Sequence, residues 1–203
     1  MGYLKSCKIG SAVVESQRRE KRHSSSSTPS KSTSAPASAS TSASSSLQIF
    51  RFDDLEVATD GFSVETLLGK GSHGCVYKAI LKNGREVAVK RASYGRRLLQ
   101  DEACFENEIR VLSSLNNPHF VKLLGICEDS DKEKLLVVEL MQNGTLFDLL
   151  HQNPEAIPWS KRFHIALQTA RAVQDIHSIN PPLIHRDIKS SNIFIDKNWN
   201  AKL

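Results

Sequence analysis

Residues Leu68-Gly69-Lys70-Gly71-Ser72-His73-Gly74-Cys75-Val76-Tyr77-Lys78-Ala79 set three glycines in the spacing G-x-G-x-x-G-x-V between two strand-like runs. Glycines let a backbone close over phosphates without side-chain obstruction. The same pattern serves dinucleotide folds, where a helix follows the glycines. Here a second strand follows, and Asn83-Gly84 then supplies a tight hairpin turn. A third strand, Glu86-Val87-Ala88-Val89-Lys90, comes next. That order argues against a Rossmann unit and for a strand–hairpin–strand sheet.

The chain around this stretch alternates further strands with helices, an α+β pattern. Phe50 to Ser63 reads as a short amphipathic helix that starts at the acidic pair Asp53-Asp54 and ends at Gly61. A helix is predicted from Leu98 to Leu115, with Leu98, Phe105, Ile109, Leu112 and Leu115 on its apolar side. Strands are predicted over 120–125 and 134–140. Pro158-Trp159 opens a long helix with Phe163, Ala166, Ala170, Val173 and His177 at helical spacing, His177 as a packed helix-end histidine.

Downstream stands Ile184-His185-Arg186-Asp187-Ile188-Lys189-Ser190-Ser191-Asn192-Ile193. It fits H-R-D-x-x-x-x-N, the catalytic-loop pattern of protein kinases. The spacing answers a chemical need. A carboxylate must accept or orient the proton of an attacking hydroxyl, and an amide oxygen a few residues on must ligate a metal bound to the same phosphates. Asp187 and Asn192 take those roles, and Lys189 between them can meet the γ-phosphate. The apolar flanks Pro181-Pro182-Leu183-Ile184 and Ile193-Phe194-Ile195 speak against an accidental polar turn. Upstream, Val87-Ala88-Val89-Lys90 fits V-A-[IV]-K, so that Lys90 holds the α- and β-phosphates and pairs with a helix carboxylate. Glu106 and Glu108 compete for the pairing. Glu108 is preferred because Glu108-Ile109…Leu112…Leu115 has the usual kinase context.

Composition places the charge away from this region. Residues 1–50 hold seven Lys/Arg against two Glu, whereas 51–203 hold twenty basic and twenty acidic residues. The sequence pI of about 9.1 therefore belongs to the first fifty residues. The rest has no electrostatic footprint for nucleic acid, and none is expected as a partner. Four scattered cysteines at 7, 75, 104 and 127 contain no C-x-x-C pair, which suits free thiols in a reducing compartment. No apolar run approaches the eighteen or so residues of a membrane span.

Residues 24–46 are almost wholly Ser, Thr, Ala and Pro, too poor in large apolar side chains to offset ordering entropy, and read as a linker. Met1-Gly2-Tyr3-Leu4-Lys5-Ser6 fits the myristoylation pattern, with Cys7 as a palmitoyl site and Arg18-Arg19-Glu20-Lys21-Arg22 as a basic patch. Tyr3 is unfavourable beside Gly2. An unmodified start and a transit peptide stand as alternatives, the latter opposed by Glu15 and Glu20.

The sequence resembles a plant receptor-like kinase, in particular a receptor-like cytoplasmic kinase of the crinkly-related group. The resemblance lies in Phe52…Leu55…Ala58-Thr59…Phe62-Ser63, Trp159…Arg162…Ile165-Ala166 and His185 to Ile193, and covers about residues 50–203. It implies a protein-kinase-like two-lobe fold: an antiparallel β-sheet lobe with one helix over about 62–141, then part of a helical lobe over about 142–203. Residues 1–49 are expected to be a disordered basic, Ser-rich tail. The resemblance also implies Ser/Thr specificity, which suits Lys189, and ATP with Mg2+ or Mn2+. Leu68, Gly69, Gly71, Gly74, Val76, Ala88, Lys90, Glu139, Met141 and Phe194 would line the nucleotide site. The C=O of Glu139 and the N–H of Met141 would meet the adenine edge, with Val138 as gatekeeper. Asn192 would hold the metal. Protein substrates and a receptor kinase are the expected partners, in the cytoplasm or at the inner face of the plasma membrane through the acylated tail. Arg186 implies control by a phosphorylated activation loop.

Three departures qualify the match. His73 replaces the usual Phe at the tip of the glycine loop, and Phe194 replaces the usual Leu under the adenine. The D-F-G motif, due roughly a dozen residues after Asn192, is not among the 203 residues, of which Leu203 is the eleventh after Asn192. The leading expectation is a Ser/Thr protein kinase of which these residues are a part, unable to transfer phosphate at a useful rate as written. A kinase-derived, pseudokinase-like binding module is the alternative, and a small-molecule phosphotransferase a weaker third.

Overall fold

The computed structural model describes residues 47–71, 74–92, 98–128, 134–153 and 155–203, with side chains of 98–104 left aside. Expectations for residues 1–46, Ser72, His73 and the side chain of Leu98 lie outside the described residues. Six strands form the main sheet: β1 (Gln48–Ile49), β2 (Leu67–Gly71), β3 (Gly74–Ile80), β4 (Glu86–Ala92), β5 (Leu123–Cys127) and β6 (Leu135–Glu139). Their order is β1-β5-β6-β4-β3-β2. All pairings are antiparallel except β1 with β5, which is parallel. Strand β1 lies before residue 50, so sheet structure begins inside the stretch expected to be tail.

Helix α1 (Phe52–Ala58) packs on one face of the sheet, where Leu55 joins Ala79, Val87, Val89, Cys127, Leu135 and Val137 in one core. Its end explains the Ala58-Thr59…Phe62-Ser63 signature. Thr59 is buried, and its hydroxyl donates to the Leu55 carbonyl at 2.8 Å and accepts from the Phe62 N–H at 3.2 Å. The chain then passes through three residues of positive φ, Asp60, Gly61 and Phe62. This turn delivers the Phe62 ring edge-on to Tyr77, 5.3 Å between centroids, with the Arg91 guanidinium 4.8 Å above it.

Helix α2 (Leu98–Ser114) covers the other face through Phe105, with Ile109 and Leu112 partly buried beside it. Strand β5 begins three residues later than the sequence suggests. The preceding segment is bonded elsewhere: Val121 N donates to the Leu203 carbonyl at 3.0 Å, and Leu203 N donates to the His119 carbonyl at 2.9 Å.

The second lobe holds α3 (Leu146–His151), α4 (Trp159–Ser178) and a hairpin of β7 (Phe194–Ile195) and β8 (Ala201–Lys202). Thr145 caps α3 in a capping box with Asp148. Helix α4 corrects an expectation. It buries Ile165, Ala172 and Ile176 against Leu183, Ile193, Ile195, Ala201 and Leu203. The face through Phe163, Ala166 and Ala170 instead lines an open groove with Leu150 and Trp159. Phe163 is 75% exposed and His177 is exposed, so His177 is not packed. The helix is apolar on two sides, and periodicity alone cannot tell which is covered.

Candidate active site

Strands β2 and β3 carry the glycine loop, with Gly71 opposite Gly74, Lys70 opposite Cys75 and Gly69 opposite Val76. The register shifts between Leu67 and Gly69, a bulge at Leu68. Gly74 has a reason of its own to be glycine. Its φ is +136°, and a Cβ there would lie 2.1 Å from the Arg91 carbonyl, so it is required by the approach of β3 to β4. Leu68, Val76, Ala88, Val138, Met141 and Phe194 converge in one apolar cluster between the lobes. The residues expected around an adenine are thus drawn together from β2, β3, β4, the end of β6 and β7.

Lys90 lies in the middle of β4, opposite Val76 and Leu136 on its two neighbours, and is 5% exposed. Its Nζ is 2.5 Å from Glu108 Oε1 of α2. Glu106, the rival for this pairing, is exposed. The helical turn that separates the competitors is resolved by which face of α2 meets the sheet, and the geometry selects Glu108.

The catalytic-loop residues form a second, tighter cluster. Lys189 Nζ reaches both carboxylate oxygens of Asp187, at 2.8 and 2.6 Å. Asn192 Nδ2 donates to the Asp187 carbonyl at 2.7 Å and to its Oδ2 at 3.0 Å. Asp187 N donates to His185 Nδ1 at 3.3 Å. Burial lowers the His185 pKa below the ordinary imidazole value, against the pull of the Asp187 charge and with the push of Lys189. His185 therefore serves as a neutral acceptor that holds the Asp187 backbone. Arg186 between them has φ +64°, a left-handed conformation that turns the loop sharply.

A protein kinase nucleotide needs a divalent cation, and one observation tests whether these residues suit it. Asn192 Oδ1 is buried and has no hydrogen-bond partner among the described residues. A buried amide oxygen left without a partner matches the oxygen-donor preference of Mg2+. The donor chemistry fits.

Sequence reasoning missed the joint at the hinge. Expected to act through its carbonyl, Glu139 also uses its side chain: Oε1 accepts from Lys122 N at 2.7 Å and from Lys202 Nζ at 2.6 Å. Thr145 pairs with Phe194 in an isolated bridge, and Leu146 N donates to the Ile193 carbonyl at 2.8 Å, which ties the catalytic-loop exit to α3. The alternation Ala201-Lys202-Leu203 was the available signal for Lys202, whose partner lies 63 positions away.

A two-lobed fold with a buried lysine–glutamate pair, a glycine loop and an Asp-Lys-Asn cluster defines a protein kinase domain. Residues 62–203 match the protein kinase domain family, and the chain belongs to it. Within that family its close homologues are plant Ser/Thr kinase-like and receptor-like kinases, the crinkly-related group among them. It is 50% identical to the serine/threonine-protein kinase-like protein At3g51990 of Arabidopsis thaliana, with all of this chain and 56% of that protein aligned. It is 46% identical to the serine/threonine-protein kinase-like protein CCR4 of Arabidopsis thaliana over 77% of this chain and 22% of the relative. The chain thus spans about half of the first relative and about a fifth of the second. Among solved structures it is similar to the pseudokinase domain of BIR2, an immune regulator of the RLK/Pelle family. That match has a TM-score of 0.62 and 37% identity, and it covers 74% of this chain and 47% of that one.

Proposed function

We propose that this chain supplies the nucleotide site and catalytic loop of a Ser/Thr protein kinase that transfers the γ-phosphate of ATP to serine or threonine of protein substrates. The observation that carries the reading is the Asp187-Lys189-Asn192 cluster, in which the Asp187 carboxylate accepts from both the Lys189 ammonium and the Asn192 amide nitrogen. In the general kinase mechanism Asp187 accepts or orients the hydroxyl proton and Lys189 neutralises charge on the moving phosphoryl group. Lys90, held by Glu108, grips the α- and β-phosphates, and the β2–β3 glycine loop covers them. Asn192 would hold the cation, which would supply charge neutralisation at the phosphates. The D-F-G carboxylate of this mechanism is not among the 203 residues, so transfer is a property to test on the native full-length protein. That protein should phosphorylate a Ser/Thr substrate with ATP and Mg2+, and Asp187→Asn should lower the rate by about 10³-fold. Equal transfer by both would sink the reading.

A second reading is a kinase-derived module that binds partners without transfer, favoured by the likeness to the BIR2 pseudokinase domain. It predicts no transfer by the native protein while partner binding persists in Asp187→Asn. We further propose that the chain works in the cytoplasm or, through acylation of Gly2, at the inner face of the plasma membrane, with a receptor kinase as partner. Wild type and Gly2→Ala carrying a C-terminal fluorescent protein should divide differently between membrane and cytosol. Identical soluble fractions would remove the membrane part of the proposal.

A further inference from the structure

The residues just ahead of α1 hold the sheet in a way the nucleotide site alone does not require. Gln48 lies opposite Gly125 and Ile49 opposite Ile126, in parallel register on the rim strand β5. Phe50 N extends the ladder by donating to the Ile126 carbonyl at 2.8 Å. Position 125 admits only glycine beneath this segment. A Cβ there would lie 2.1 Å from the Gln48 carbonyl and 2.5 Å from the Phe50 ring. The Ile49 side chain points into solvent, 80% exposed, so the segment is anchored by backbone bonds and by its two ends, Leu47 and Phe50.

Leu47 anchors it against a particular neighbour. With Ile126 and with Ile109 and Leu112 of α2, it closes the core cluster that contains Phe105, Leu123 and Leu136. Leu47, Leu112, Leu115 and Leu123 also share the wall of one cavity of about 340 Å³. Helix α2 thus meets the sheet through Phe105, Ile109 and Leu112, and Leu47 borders the rim of that contact. Glu108 sits on the same helix, one residue from Ile109, and reaches Lys90 across the cluster. A rigid helix transmits any shift at Leu112 to Glu108 one turn away.

We propose that residues 47–50 are a positioning element that seats α2 so that Glu108 meets Lys90. The segment leading out of the Ser-rich stretch thereby becomes a lever on the nucleotide site. Leu47 touches no substrate; it acts through α2. The nucleotide part of the proposal rests on the kinase reading above, whereas the seating of α2 does not.

Hydrogen exchange on the full 203-residue chain reads the seating directly. Leu47→Asp and Gly125→Val should each speed exchange of the α2 amides from 105 to 114 by about tenfold or more and leave those of α4 unchanged. Leu47→Ile should behave as wild type. Unchanged α2 exchange in Leu47→Asp, or an equal rise in α2 and α4, would overturn the proposal. A fluorescent ATP analogue then reads the coupling. Leu47→Asp and Glu108→Ala should each weaken its binding, and the double variant should bind no worse than Glu108→Ala alone, because both act through one ion pair. Additive losses would overturn it. Should Glu108→Ala bind as wild type while the exchange result holds, the kinase reading of the pair fails and the seating role stands.

Discussion

Lys90–Glu108 and Lys189–Asp187 are both short lysine–carboxylate pairs, at 2.5 and 2.6 Å, yet they rest on different foundations. The first joins β4 to α2, and its side chains are 5% and 16% exposed. The second lies within three consecutive residues of one loop, with side chains 41% and 21% exposed. Water screens the second pair, and its geometry follows from the local chain: the positive φ of Arg186, the His185 acceptor and the Asn192 amide. The first pair exists only while α2 stays docked. One is a report on local backbone, the other on tertiary packing, and kinase chemistry needs both at once.

The comparison breaks most visibly at Asp187. Asp187→Asn should lower transfer by the native protein by about 10³-fold, since a lost catalytic base or charge partner is worth 10²–10⁴. Folding stability should stay within about 0.5 kcal/mol, as for other changes of a screened local pair. A denaturant melt beside the assay checks this. A large loss of stability would mean that the loop is not locally determined.

Lys90→Met should show the opposite balance. Removing one partner of a buried pair costs about 3–5 kcal/mol, so the unfolding midpoint and binding of an ATP analogue should fall together. Glu108→Gln, which keeps an acceptor for Lys90, should cost less. Unchanged stability in Lys90→Met would place the pair with the screened one and erase the distinction.

Val138 sharpens the contrast within the apolar cluster shared by Val76, Ala88 and Phe194. If Val138 is the gatekeeper that the sequence implies, a tyrosine there takes up more of the space behind an adenine than valine does. Val138→Tyr should weaken bulky-substituted adenine mimics by about tenfold and ATP by less than about twofold, a pocket-shape effect of ordinary size. A competition titration gives both numbers, and equal losses would sink the idea.

The smallest effect belongs to His185. Burial holds its pKa below the ordinary value of about 6.5, so the folded state binds this proton less readily than the unfolded one. Its contribution to stability is complete above about pH 6.5 and is lost as the pH falls toward the folded pKa. The thermal midpoint of wild type should therefore decline between pH 7.5 and 5.5 more steeply than that of His185→Asn. Parallel curves would show that His185 is not held neutral by the fold.

The catalytic loop, the glycine loop and Lys90 were legible in the sequence because each is a short stretch whose residue types answer a local demand. His185 to Asn192 carries its own hydrogen bonds, Asn83-Gly84 its own turn, and Glu108 was separable from Glu106 by the apolar residues that follow it. Where a residue's role depends on what packs against it from far away, the sequence was silent or misleading. It offered α4 two apolar faces and could not say that Ile165, Ala172 and Ile176 would be the covered ones. It assigned Gly74 to phosphates, while the close approach of the Arg91 carbonyl already requires it, and it left Gly125 unremarked although Gln48 and Phe50 lie directly upon it. It placed residues 48 and 49 in a tail, because two residues have no period to read and their strand exists only against β5. Local hydrogen bonding is written in neighbours along the chain; burial, close backbone approach and strand partnership are relations between segments, and only the tertiary structure decides them.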